Sequence, residues 1–255
     1  MFKLLSTDLP FRYAVGLPLF VFLGPAILSL LIADKDLVAV WIESERGLVE
    51  NLTMLLALAG AIIAVKGARR AAKLSSRLLT AWLCLFAFGF LYIATEEASW
   101  GQHWIAWPTP DWLMEINRYG EANLHNTYRF IDRVPKTIVG ITVALAGVGW
   151  PLYRRWKQLD LGDKMNWRRW LLPTDATLLI GSFFVFAWIV DRVLIWNDLG
   201  RQLGDGFSHS EHRELMMITF LFLYVLCIEH RLRPLWAAHG DRQSEPLTES
   251  EQRTD

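Results

Sequence analysis

The chain has 255 residues, 53% of them hydrophobic and 13 of them Trp, and its 26 basic side chains balance its 26 acidic ones. Neutrality argues against a nucleic-acid partner, because phosphate binding leaves a strong basic excess. So much apolar sequence in long uncharged runs argues against an ordinary soluble domain and makes a lipid bilayer the first partner.

Six apolar segments are long enough, or nearly so, to span a bilayer: 13–33, 48–65, 78–95, 135–153, 176–196 and 215–228. The last needs flanking residues to reach the usual minimum of roughly 17. The predicted fold is therefore all-α, a polytopic membrane helix bundle with six transmembrane helices in residues 1–236 and a disordered cytoplasmic tail over 237–255. The first run is too long for a signal-peptide core and lacks a small-residue cleavage site, so it is read as a retained helix. Pro18 and Pro25 should kink it. In the fourth segment, Gly140, Ala144, Gly147 and Gly149 permit close helix approach. Cys84 and Cys227 fall inside apolar runs and read as two buried small hydrophobes.

Six spans place both termini on one side. The N-terminus, the 66–77 and 154–175 connections and the tail carry 17 of the 26 Lys and Arg. That bias predicts both termini cytoplasmic, and a short six-helix chain with no long lumenal domain and no cleaved signal suits a bacterial plasma membrane. Trp41, Trp100, Trp104, Trp107, Trp112 and Trp196 would then mark the outer boundary, with Trp150, Trp156, Trp167, Trp170 and Trp236 at the inner one.

The outer loops and outer helix ends hold 16 of the 26 carboxylates and four of the six His. The long outer connection, 96–136, contains Pro110 at a helix start and Gly120 at a helix end, so a short interfacial helix is expected over about 110–119. Just before it lies Glu96-Glu97-Ala98-Ser99-Trp100-Gly101-Gln102-His103. If the third helix continues through this stretch, Glu96, Ser99 or Trp100, and His103 recur along one face.

A carboxylate and an imidazole so placed are candidates to share a metal or to pass a proton. Glu96, Glu97, Ser99 and Asp191 are the candidate catalytic residues. His103, His125, His209 and His212 are the candidate ligands of a divalent metal such as zinc. Asp191 lies five residues before Trp196, roughly 7 Å inside the boundary, where a carboxylate needs a partner such as Arg133 or Lys136. Ser99 has no base at a fixed spacing. The bland readings are a solvated helix-end cap for Glu96 and Glu97, an ion pair for Asp191 and solvated loop positions for His209 and His212. The cytoplasmic half of the bundle looks almost purely apolar.

The string Glu96-Glu97-Ala98-Ser99-Trp100-Gly101-Gln102 followed by Asn117-x3-Glu121-x-Asn123-x-His125-Asn126 resembles a pattern in bacterial multi-pass membrane proteins, over roughly residues 43–130, with no activity attached. A looser similarity is to alkaline ceramidase-like intramembrane amide hydrolases. It implies analogous parts for Glu96, Ser99, Asp191, His209 and His212. That superfamily has seven helices and a His-x3-His pair within a late helix, whereas this chain offers six and a His-x2-His pair in a loop. Two functions follow as expectations. One is an outer-leaflet hydrolase or transferase acting on a lipid or lipid-linked substrate. The other is a non-catalytic docking subunit or small transporter, with a protein partner or a second copy bound through the outer loops.

Overall fold

The structure, a computed structural model, describes residues 8–32, 34, 36–38, 42, 44, 46–159, 170–196 and 209–244. It is 81% helical, and no strand occurs among the described residues. Six helical spans are long and apolar enough to cross a membrane. Helix α1 is Arg12–Leu31, α2 is Leu48–Lys73 and α3 is Arg77–Glu97. Two single turns follow, α4 at Gln102–Ile105 and α5 at Asp111–Met114. Helix α6 runs through Arg129–Thr142, continues with π geometry over Val143–Gly149, and ends with Trp150–Trp156. Helix α7, Leu178–Trp196, is entered by a tight turn at Asp175–Thr177, and α8 is His209–Ser244.

Helix α8 is the axis of the bundle. In its apolar window 89% of residues are buried, against 17–39% in the other five spans. A helix that is apolar all round has no preferred outward face, so it takes the centre and the others coat it. Helix α2 packs on α8 and on α3 through small residues, Ala57, Gly60, Ala64, Gly67 and Ala71, at three- and four-residue steps. An added Cβ on Gly60 would sit 2.8 Å from the Phe90 ring of α3. Small residues thus let backbones approach where lipid offers no hydrophobic driving force. Helices α6 and α7 meet in the same way, with a Cβ on Gly147 falling 2.8 Å from the Phe220 ring of α8 and 3.6 Å from Gly181. Gly140 makes a comparable approach to Phe184, but Gly149 meets nothing closer than 3.7 Å.

Several expectations are corrected. The last span is much longer than 215–228: it covers Ser210–Ala238, and α8 continues past Pro234 to Ser244. Helix thus extends into the segment expected to be a disordered tail, of which 245–255 lie outside the described residues. Cys84 is exposed on α3, and only Cys227 is buried. The end where α1 starts and α8 finishes is not purely apolar. Buried Glu229 holds Arg70 and Arg233, Asp175 holds Arg154 at 2.6 Å and Arg155 at 3.0 Å, and Arg231 lies 3.0 Å from Asp8. Sequence alone does not reveal these pairs, because each carboxylate is far along the chain from at least one partner.

Trp100, Trp104 and Trp112 are exposed at the opposite end, and Trp156 and Trp236 at this one, in keeping with aromatic belts. Trp41 and Trp167 lie outside the described residues.

Candidate functional site

Helix α3 ends at Glu97, and the three residues Ser99, Trp100 and Gly101 all have positive φ, at 43°, 54° and 87°. Left-handed backbone at a Ser and a Trp costs of order 1–3 kcal/mol each unless surroundings enforce it. The helix therefore does not carry Glu96, Ser99 and His103 along one face, as its continuation would have done. The chain breaks instead, and Glu96 and Ser99 turn to meet the loop at 117–126.

Two carboxylates hold that meeting. Glu96, 3% exposed, accepts from Trp100 Nε1 at 2.8 Å through one oxygen. Its other oxygen accepts the backbone N–H groups of Leu124 at 2.8 Å and His125 at 2.9 Å. His125 Nδ1 stands 3.4 Å from that same oxygen. Glu121 is the second anchor. Its Oε2 accepts from Ser99 Oγ at 2.9 Å and Asn123 Nδ2 at 3.0 Å, while Oε1 lies 3.2 Å from His103 Nε2. Burial works to raise the Glu121 pKa, but hydrogen bonds from His103 and Ser99 and the charges of His103 and Arg46 outweigh it and hold the carboxyl below its ordinary value.

Amides lock the loop around these anchors. Asn117 donates to both the backbone and side-chain oxygens of Asn123, at 2.8 and 2.9 Å. Its own Oδ1 accepts from the backbone of Tyr119 at 3.0 Å and Glu121 at 3.2 Å. Those bonds explain a second correction: the helix expected over 110–119 is only the single turn Asp111–Met114. An Asn side chain that captures backbone N–H groups ahead of it offers the chain an alternative to helix. Gln102 joins the two halves of the pattern, donating to Trp107 O and Thr109 Oγ1 and accepting from Ala122 N at 2.9 Å.

The arrangement is a clasp in which each half of the sequence pattern satisfies the other. Ser99 is fully buried, donates to Glu121 and accepts from Asn123 Nδ2 at 2.9 Å. A hydroxyl so enclosed positions the loop. Beside the clasp a small cleft, with room for about one water molecule, is lined by Glu50, Asn51, Glu97, His103 and Trp104 among others. His103 therefore belongs to both, with Nε2 against Glu121 and its side chain on the cleft wall.

The remaining candidates lie elsewhere. Asp191 pairs with Arg213 of α8, while Lys136 bridges Asp132 at 2.6 Å and Glu214 at 2.7 Å. His212 Nε2 lies 2.8 Å from the carbonyl oxygen of Val21. His209 opens α8, and its side chain lies outside the described residues. Among the described residues no three His, Cys, Asp or Glu side chains converge to hold a metal ion. The zinc-type set expected of His103, His125, His209 and His212 is not supported, because His103, His125 and His212 each turn to a different partner. Residues that sequence reasoning left outside the candidate set are Glu50, Gln102, Asn117, Glu121 and Asn123. The signal for Gln102, Asn117, Glu121 and Asn123 was the density of amide and carboxylate side chains between two spans, whereas Glu50 opens α2.

No family model, curated protein or solved structure matches the chain. The fold and the clasp define its class: a six-span α-helical membrane protein with a hydrogen-bonded polar cap at one end of the bundle.

Proposed function

We propose that this protein is a hydrolase of the bacterial plasma membrane, acting at the outer face on a lipid or lipid-linked substrate. The observation that supports it is the double placement of His103, held by Glu121 on one side and lining the water-sized cleft with Glu50 and Glu97 on the other. The excess of Lys and Arg at the opposite end of the bundle argues for a cap that faces outward and termini that are cytoplasmic.

In this reading a water in the cleft is the nucleophile. His103 takes its proton as the water oxygen adds to the ester or phosphoester centre, and Glu121 stabilises the imidazolium that forms. The imidazolium then returns the proton to the departing oxygen. Glu50 and Glu97 orient the water, and Glu96 and Ser99 hold the loop that carries Glu121. General acid–base catalysis of this kind contributes about 10²–10⁴-fold in rate.

The test works whichever membrane lipid is the substrate. Protein reconstituted with a bacterial lipid extract in ¹⁸O-water should release products carrying the label, and His103→Ala should abolish the release. Label no higher than in protein-free vesicles overturns the proposal.

A docking role is the second reading, favoured by one observation. Trp104, Ile105, Trp112, Met114 and Tyr119 are all more than half exposed on the cap, an apolar surface at the membrane boundary on which a partner's span could dock. It predicts that Trp112→Ala and Ile105→Ser abolish a co-purifying partner while His103→Ala leaves it bound.

A further inference from the structure

We infer that the groove between α1 and α2 binds one acyl chain of an anionic phospholipid, with Arg12 at the lipid phosphate. This stands independently of the hydrolase reading, because the groove lies away from the clasp.

The groove has a volume of about 340 Å³ and is lined by Tyr13, Gly16, Leu17 and Phe20 of α1, Leu56 of α2 and Phe222 of the central helix, with Arg12 at its edge. Nothing lies within 4 Å of a Cβ built on Gly16, so the wall is open at that point. The surface it offers is almost wholly carbon and aromatic, which rejects any small polar ligand and suits a hydrocarbon chain.

Arg12 supplies the selectivity. It is exposed and its guanidinium stacks on the Tyr13 ring at 4.9 Å. Among the described residues it makes no ion pair. The nearest acid in sequence, Asp8, lies against Arg231. Arg12 also opens the membrane span, which is the level at which long basic side chains reach lipid headgroups. A guanidinium at the mouth of a hydrocarbon groove complements a ligand with an apolar body and one anionic head, and in a bilayer that ligand is an acidic phospholipid.

The experiment is native mass spectrometry of the full chain in detergent. It is titrated with phosphatidylglycerol and, separately, with phosphatidylcholine of the same acyl chains. Wild type should retain one phosphatidylglycerol about fivefold more strongly than the phosphatidylcholine, the preference expected of a single basic residue near a membrane surface. Arg12→Gln should erase the preference while leaving the weaker binding. Gly16→Phe should reduce retention of both lipids by filling the groove. Equal retention of the two lipids by wild type, or undiminished lipid on folded Gly16→Phe, overturns the proposal. If Gly16→Phe does not fold, the headgroup comparison between wild type and Arg12→Gln decides alone, since Arg12 is exposed and its loss leaves the core intact.

Discussion

The carbonyl oxygen of Val21, midway along α1, accepts a hydrogen bond from His212 of the central helix at 2.8 Å. Its ordinary partner is missing, because the residue four positions on is Pro25, which has no N–H. In hydrocarbon an orphaned carbonyl must be satisfied by a neighbour. Since a carbonyl only accepts, Nε2 carries a proton in this bond. His212→Leu should therefore destabilise the protein by about 1–3 kcal/mol, the cost of a buried acceptor left unmade. In a Pro25→Ala background Val21 regains a helical donor, so His212→Leu should cost less by about 1 kcal/mol or more in a double-mutant cycle of detergent unfolding. Additive effects would remove the link between the proline and the histidine.

Protonation of Glu121 should release the cap. Its carboxyl is held below the ordinary value in the folded protein, so its ionised form contributes stability that is complete above the unfolded value of about 4.3. That contribution is lost as pH falls through the folded value. Hydrogen exchange of the 117–128 amides, corrected for intrinsic rate, should show protection unchanged from pH 7 to 5 and falling below about 4. Glu121→Gln should lower protection at neutral pH and flatten the acid response. A wild-type cap as protected at pH 3 as at pH 7 contradicts the assignment.

The neighbouring carboxylates Glu96 and Glu97 separate structure from chemistry. Glu96 accepts two backbone N–H groups and an indole N–H, and a Gln in its place must turn an NH₂ toward one of those donors. Glu96→Gln should expose the amides of Leu124 and His125 to exchange, with a loss of about 1–3 kcal/mol. Glu97 lines the cleft, so Glu97→Gln should leave those amides protected and lower the release of labelled product.

What could be read from the chain alone divides along physical lines. Spans are long-range averages of hydropathy, so four of the six were placed within about five residues at both edges, while α2 runs on from the expected end at 65 to Lys73. The sixth, α8, was cut short because its ends carry Glu211, Arg213, Glu229 and Arg231, which lower local hydropathy although most are paired within the bundle. The clasp was visible as two polar strings, but helical spacing was read through the first, and a helix over about 110–119 was expected to lead up to the second. Helical spacing describes only chains whose backbone donors stay with the helix, and Asn117 captures two of them. Pairings such as Asp191 with Arg213, in place of Arg133 or Lys136, depend on helix rotation about α8, which no single helix encodes.

Helix rotation makes Gly147 and Gly149, two of the three glycines of α6, unequal. Gly147 faces inward, where a Cβ would fall 2.8 Å from the Phe220 ring and 3.6 Å from Gly181 of α7. Gly149 has only the carbonyl of Ala144 at 3.7 Å. Gly147→Val should force α6 away from α8 and cost about 1–3 kcal/mol by overpacking. Gly149→Ala should be neutral or slightly stabilising, because its backbone is already helical. Thermal unfolding of the two variants in the same detergent checks the contrast, and equal losses would show that α6 is rotated from this placement.

Ser99 offers the sharpest choice between a positioning hydroxyl and a nucleophile. It is fully buried, donates to Glu121 and accepts from Asn123. No imidazole stands at its oxygen, since His103 Nε2 engages the other oxygen of the same carboxylate. An attacking hydroxyl needs an accessible oxygen and a base to take its proton, and Ser99 has neither. Ser99→Ala should therefore keep ¹⁸O-labelled product release within a few-fold of wild type. Stability should fall by about 1–2 kcal/mol, because Asn123 and Glu121 each lose a partner. A fluorophosphonate probe should leave the wild-type protein unlabelled. If the probe labels Ser99, or if Ser99→Ala abolishes turnover in a protein that still melts normally, the water-activating role of His103 gives way to a covalent route through the serine.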